Sequence, residues 1–178
     1  MAALPALITV EELRTLDTPD RCELHHGTIV PVTSPALKHE KMQWHLQQLL
    51  QRALGFAWIV PVEFSYRPLP QFELRRGDVV AISRARWDAG DPDDNIHGAP
   101  ELVIEVKSPS NRPRQLRELA SLCLANGCQS FWVIDLEAKT VTTVGPDGKS
   151  TLYKIGESIP LTVVPGYLDV SEIFASDR

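Results

Sequence analysis

Two apolar runs, Leu102-Val103-Ile104 and Phe131-Trp132-Val133-Ile134, bracket a segment from Arg114 to Ala125 in which Leu116, Leu119, Leu122 and Cys123 recur at helical spacing. A strand, a helix of about three turns and a second strand make a crossover unit, which lays its strands parallel and turns right-handed because the strands themselves twist. The unit places the chain in the mixed α/β (α+β) class, with a central mixed β-sheet flanked by helices.

Prolines and glycines divide the rest into short elements. Thr9-Val10-Glu11-Glu12 has the form of a capping box and predicts a short opening helix through Leu13 and Leu16. Arg21 to Val32 reads as two brief strands around His25-His26-Gly27, the second confined to an edge by Pro31. Ser34-Pro35 predicts a hydroxyl cap and a first-turn proline for a long helix carrying Met42, Leu46, Leu49, Leu50 and Ala53, stopped by Gly55. Trp58 to Tyr66 and Asp78 to Ile82 read as strands, and Thr140 to Val144 and Thr151 to Lys154 flank Pro146-Asp147-Gly148 as a hairpin. Asp169 to Ala175 closes the chain as a short helix.

A chain of 178 residues, 43% of them hydrophobic, buries roughly 70% of the surface it exposes when unfolded. One domain over residues 1–178 is expected, with no disulfide or zinc staple. Cys22, Cys123 and Cys128 are odd in number and form no CxxC pair, which fits buried, reduced thiols. No apolar run approaches the roughly 18–20 residues of a membrane helix, and Met1 to Leu13 carries acids at Glu11 and Glu12 where an export signal would have a basic start and a cleavage site, so a cytoplasmic protein without a membrane partner is expected. The net charge of -5 argues against coating nucleic acid with the whole surface, while leaving room for a local basic groove.

The chemistry concentrates in Leu102-Val103-Ile104-Glu105-Val106-Lys107. Glu105 and Lys107 share a strand face with alpha carbons about 7 Å apart. At the end of an apolar strand they are costly to desolvate unless they pair with each other as a salt bridge at the sheet rim or bind something. Glu137-Ala138-Lys139 and Asp147-Gly148-Lys149 repeat the pattern in polar, turn-like segments, so context distinguishes the first. Gly77-Asp78-Val79-Val80-Ala81-Ile82 puts a second carboxylate at the mouth of another strand. If those strands are neighbours, Asp78 and Glu105 face one cation, and hard oxygen ligands suit magnesium or manganese. Such a metal acidifies a water, and Lys107 steadies charge developing on phosphorus. From Glu105 to Arg117 the chain carries Lys107, Arg112, Arg114 and Arg117 against one acid, which suits either a phosphate backbone or a solvated helix face. Glu63, one charge in an alternating strand, reads as outward-facing, with a supporting place beside the site as the alternative, and Trp132 reads as core. His25 and His26 adjoin Glu23 without a third ligand at a spacing that zinc requires.

Gly77-Asp78 followed by Glu105-Val106-Lys107 resembles the PD-(D/E)xK signature of the restriction-endonuclease-like nucleases. The order of Glu23-Leu24-His25-His26-Gly27, Ser34-Pro35 with His39, Asp78-Val79-Val80, Leu102 to Ser110, and Gly127 with Phe131 to Asp135 is similar to the Uma-type family of endonucleases over almost the whole chain. The resemblance implies a restriction-endonuclease-like fold and divalent-metal-dependent hydrolysis of DNA, with Mg2+ or Mn2+ held by Asp78, Glu105 and Val106. Lys107 is then the catalytic lysine, Glu23 an additional acid and His39 an accessory residue near the site. Arg112, Arg114 and Arg117 are the expected DNA contacts, and a homodimer is expected because nucleases of this size commonly pair. Two departures stand out: Gly77 occupies the usual proline position, and Leu119 occupies the helical position from which many relatives supply their lysine. The rival reading is a catalytically silent DNA-binding or assembly module of the same fold, with Glu105 and Lys107 paired structurally.

Overall fold

The computed structural model describes residues 7–18, 21–108 and 112–175, so Pro109 and Ser110 of the Leu102 to Ser110 motif lie outside the described residues. The chain runs α1 (Val10–Leu13), β1 (Cys22–His25), β2 (Thr28–Pro31), α2 (Leu37–Leu54), β3 (Trp58–Ile59), β4 (Val62–Arg67) and β5 (Arg75–Ser83). It continues through α3 (Arg84–Asp88), β6 (Ile96–His97), β7 (Leu102–Val106), α4 (Pro113–Ala125), β8 (Ser130–Asp135), β9 (Thr140–Val144), β10 (Ser150–Lys154), β11 (Ser158–Pro160), β12 (Tyr167–Asp169) and α5 (Val170–Ile173).

An eight-stranded mixed sheet in the order β10-β9-β8-β7-β5-β4-β6, with β3 also paired to β5, forms the middle layer. The predicted crossover is present: β7 and β8 pair in parallel on either side of α4 in the chain, and β5 pairs with β7 antiparallel. Alternation along β7 sends Leu102, Ile104 and Val106 into one core with Met42, Leu46 and Leu50 of α2, while Val103 joins Ala120 and Cys123 of α4 in another. The sheet is thus buried on both faces, as a parallel pair at its centre requires.

Helix α2 forms because Met42, Leu46, Leu49, Leu50 and Leu54 line one stripe with no glycine, proline or β-branched residue between them. Gly55 ends it at φ 74°, its N–H bonded to the Gln51 carbonyl at 3.1 Å. Leu50 is fully buried, so trimming it to alanine costs about 2–5 kcal/mol. The helix begins later than the sequence suggested: Ala36 is the N-cap and supplies no side-chain hydrogen bond, so Ser34 does not cap it. Ser34 and Pro35 instead line a cleft.

The single strand expected over Trp58 to Tyr66 is interrupted at Val60-Pro61, because proline has no N–H to give the ladder. Its register nonetheless runs on unchanged: Trp58 pairs with Ser83, Ile59 with Ile82, Val62 with Val79 and Phe64 with Gly77. Cys123 and Cys128 are buried as expected, whereas Cys22 is only half-buried, since its short hairpin β1-β2 lies outside the main sheet. All three thiols are free.

Candidate active site

The strand registers place three carboxylates in one row across adjacent strands. Val62 pairs with Val79 and Phe64 with Gly77, so Glu63 of β4 falls opposite Asp78 of β5. Val79 pairs with Ile104, so Asp78 in turn falls opposite Glu105 of β7. Like charges directly opposite one another destabilise a sheet unless something answers them.

Glu63 is answered by Arg21, by Arg76 at 3.8 Å and by the Gln43 amide at 2.5 Å. Its backbone lies in the left-handed region at φ 50°, uncommon for a residue with a side chain inside a strand. The expectation that Glu63 points outward is therefore corrected. Reading the two strands as a hairpin with a continuous register would have put it beside Asp78.

Asp78 accepts the Val106 amide at 2.6 Å and the Gln43 side-chain amide at 2.9 Å, and His39 Nε2 stands 3.0 Å from its Oδ1. Burial pulls the His39 imidazole toward neutrality, but Asp78, Glu63 and Glu40 outweigh it and raise its pKa above the ordinary histidine value. His39, Glu63 and Asp78 offer one ligand atom each within 4.8 Å of one another. Sequence reasoning missed Gln43, which is 3% exposed. Its signal was a polar residue on the apolar stripe of α2, between Met42 and Leu46.

Glu105 differs from its neighbours in the row because its Oε1 is buried with no hydrogen-bond partner among the described residues. Burial foremost, and then the charges of Asp78, Glu23 and Glu63, push its pKa well above the usual carboxylate range. It does not pair with Lys107, so the alternative of a rim salt bridge, and with it the Glu105–Lys107 pairing of the rival silent module, is corrected. Lys107 donates to Asp135 Oδ2 at 2.7 Å, and that bond raises the lysine pKa.

Glu23 stands with His25 at 2.5 Å and within 4.0 Å of Arg75, while His26 pairs with the fully buried Glu73 at 2.6 Å. Glu23, His39, Asp78, Glu105, Val106 and Lys107 all line one cleft of about 520 Å³. Of the expected DNA contacts, Arg114 is engaged with Glu118 one helical turn on at 2.7 Å, and Arg112 and Arg117 are exposed. Arg117 lines a second groove of about 880 Å³ between α4 and strands β8 to β10. No helix among the described residues is long and apolar enough to cross a membrane.

The fold is shared with a crystal structure of "a putative nuclease belonging to DUF820" from Anabaena variabilis, at a TM-score of 0.81 and 19% identity over 95% of this chain and 98% of that one. No curated protein matches the chain. The family model of Uma2, described as "Putative restriction endonuclease", matches residues 10–169. Spanning nearly the whole sheet and both flanking helices, that match shows that the chain belongs to the Uma2 family of nuclease-like proteins.

Proposed function

We propose that this protein is a divalent-metal-dependent endonuclease that hydrolyses DNA phosphodiester bonds at the Asp78-Glu105 end of the cleft. The observation that carries the reading is the buried Oε1 of Glu105, unpartnered among the described residues, in a row of three carboxylates. A desolvated carboxylate oxygen with no donor is costly to keep, and a cation is the natural partner for it beside Asp78. Asp78 groups with His39 and Glu63 within metal-ligand reach, and Glu105 and the backbone of Val106, which line the same cleft, are the further holding groups in this reading, an oxygen-rich set that suits magnesium or manganese. When bound, such an ion supplies an acidified water and charge neutralisation at phosphorus.

The protein's own groups prepare that chemistry. The Val106 amide and the Gln43 side chain fix the Asp78 carboxylate before any ligand arrives. Lys107, on the strand end next to Glu105, is the cation available to the developing phosphorane charge. Glu23 adds a further carboxylate to the cleft wall, held by His25. Arg112 and Arg117 extend positive potential from Lys107 along the start of α4, where a phosphate backbone would lie.

The test is cleavage of plasmid and branched DNA with magnesium or manganese, comparing the unaltered protein with Asp78→Ala and Lys107→Ala. Loss of cleavage in both variants is expected, and equal activity in all three sinks the reading. A silent DNA-binding module is the second reading, favoured by the engagement of Lys107 with Asp135 rather than with the carboxylate row. Calorimetry separates the two: metal binding that depends on Asp78 and Glu105 belongs to the nuclease.

A further inference from the structure

We propose that Asp135 is a positioning residue, which holds Lys107 on the β8 side of its strand and yields it to a substrate phosphate. The inference rests on the reading of Lys107 as the lysine of the proposed nuclease. Strand β7 lies between β5, which carries Asp78, and β8, which carries Asp135. Leu102 pairs with Ser130 and Val106 with Ile134, so the same offset sets Lys107 beside Asp135, and the Lys107 amide bonds to the Ile134 carbonyl at 2.8 Å. The two acids therefore flank β7 on opposite sides, and the 2.7 Å bond to Asp135 turns the lysine toward the side away from Asp78.

Asp135 is built to stay in place. Its Oδ1 accepts the backbone amides of Glu137 at 3.1 Å and Ala138 at 3.0 Å, leaving Oδ2 for the lysine. Lys107 and Asp135 also line both the 520 Å³ cleft and the 880 Å³ groove, so the pair stands where the two meet. With the lysine side chain 44% exposed, a solvated pair of this kind holds by no more than about a factor of five. An incoming phosphate displaces it without difficulty.

Asp135→Asn separates the two duties of the residue, because asparagine keeps an oxygen for the Glu137 and Ala138 amides but carries no charge for Lys107. The experiment measures binding of a labelled DNA duplex, and of one of its single strands, at low salt with calcium in place of magnesium. Asp135→Asn is compared in the unaltered and Lys107→Met backgrounds, with thermal melts confirming that each variant folds. Binding is expected to tighten about two- to fivefold in the first background and to be unchanged in the second. Asp135→Glu is expected to restore the unaltered affinity. Equal tightening in both backgrounds would make Asp135 a mere negative charge near DNA and overturn the proposal, as would no tightening, or no binding by any variant. Cleavage by Asp78→Ala in magnesium is read separately, so failure of the nuclease reading is visible independently of the binding cycle.

Discussion

The Asp78 carboxylate takes the backbone N–H of Val106 at 2.6 Å, tying β5 to the end of β7 where Glu105 and Lys107 emerge. Asparagine at position 78 retains an acceptor for that amide while losing the charge that a cation needs. Asp78→Asn should therefore melt within a few degrees of the unaltered protein yet lose about 100-fold or more of its metal-dependent cleavage. Undiminished cleavage would remove Asp78 from the proposed site.

Glu105 should be a stability cost in the absence of metal. Its folded pKa is raised, so between the ordinary glutamate value and that higher one the folded chain holds a proton that the unfolded chain has released. Stability then falls as pH rises through that window. Glu105→Gln removes the penalty and is expected to gain about 1–3 kcal/mol at neutral pH in chelator. The gain should shrink toward acid, where both forms are neutral, and the variant should lose the stabilisation that added manganese gives the unaltered protein. Thermal melts across pH, with and without manganese, check all of this, and an unchanged neutral melt would contradict it.

Gly77 directly precedes Asp78 on β5, and the space around it is closed. A Cβ there would stand 2.5 Å from Val80 Cγ1 and 3.6 Å from Tyr66 Cε1. Because Val80 is packed in the α4-side core, it has little room to give. Gly77→Ala is expected to cost about 1–3 kcal/mol by overpacking. Chemical denaturation gives the number, and a neutral result would show that β5 shifts freely beside Asp78.

Asp94 anchors the loop before β6 to the opening helix. It meets Arg14 at 2.5 Å, His97 at 2.8 Å and the buried Arg67 at 3.0 Å. Burial opposes ionisation, but His97, the Asn95 amide, Arg14 and Arg67 together hold its carboxyl far below the usual aspartate range. A depressed acid contributes stability that is complete above its unfolded pKa of about 3.9 and is lost as pH falls toward the folded value. Asp94→Asn should cost about 1.5–3 kcal/mol at neutral pH, with the difference closing in strong acid. A pH-independent difference in melting temperature would refute the assignment.

Much of the central sheet was legible because Leu102 to Val106 and Phe131 to Ile134 are apolar runs bounded by charge, with an amphipathic helix between them. What escaped was short or nonlocal. Two- and three-residue strands such as Ile96–His97 and Ser158–Pro160 are too brief to carry a period. Asp78 and Glu105 are close in the row, but their neighbour Glu63 was misjudged, because alternation within one strand says which face a residue takes and not what lies across from it. The partners of the charges were equally hidden: Lys107 lies near Glu105 in sequence, yet it bonds to Asp135 through a parallel register that the intervening helix spans.

The carboxylate row also bears on synthesis. Strand β5 sits between β4, made before it, and β7, made after it, and the Asp78 carboxylate is held by an amide that belongs to residue 106. Until the ribosome has released the chain past that residue, Asp78 has Gln43 and His39 at Oδ1 but lacks the amide that holds Oδ2, and Lys107 has no parking place until β8 follows. Contacts of such sequence separation close late in folding. The proposed cutting chemistry is therefore assembled only once the central sheet has been completed.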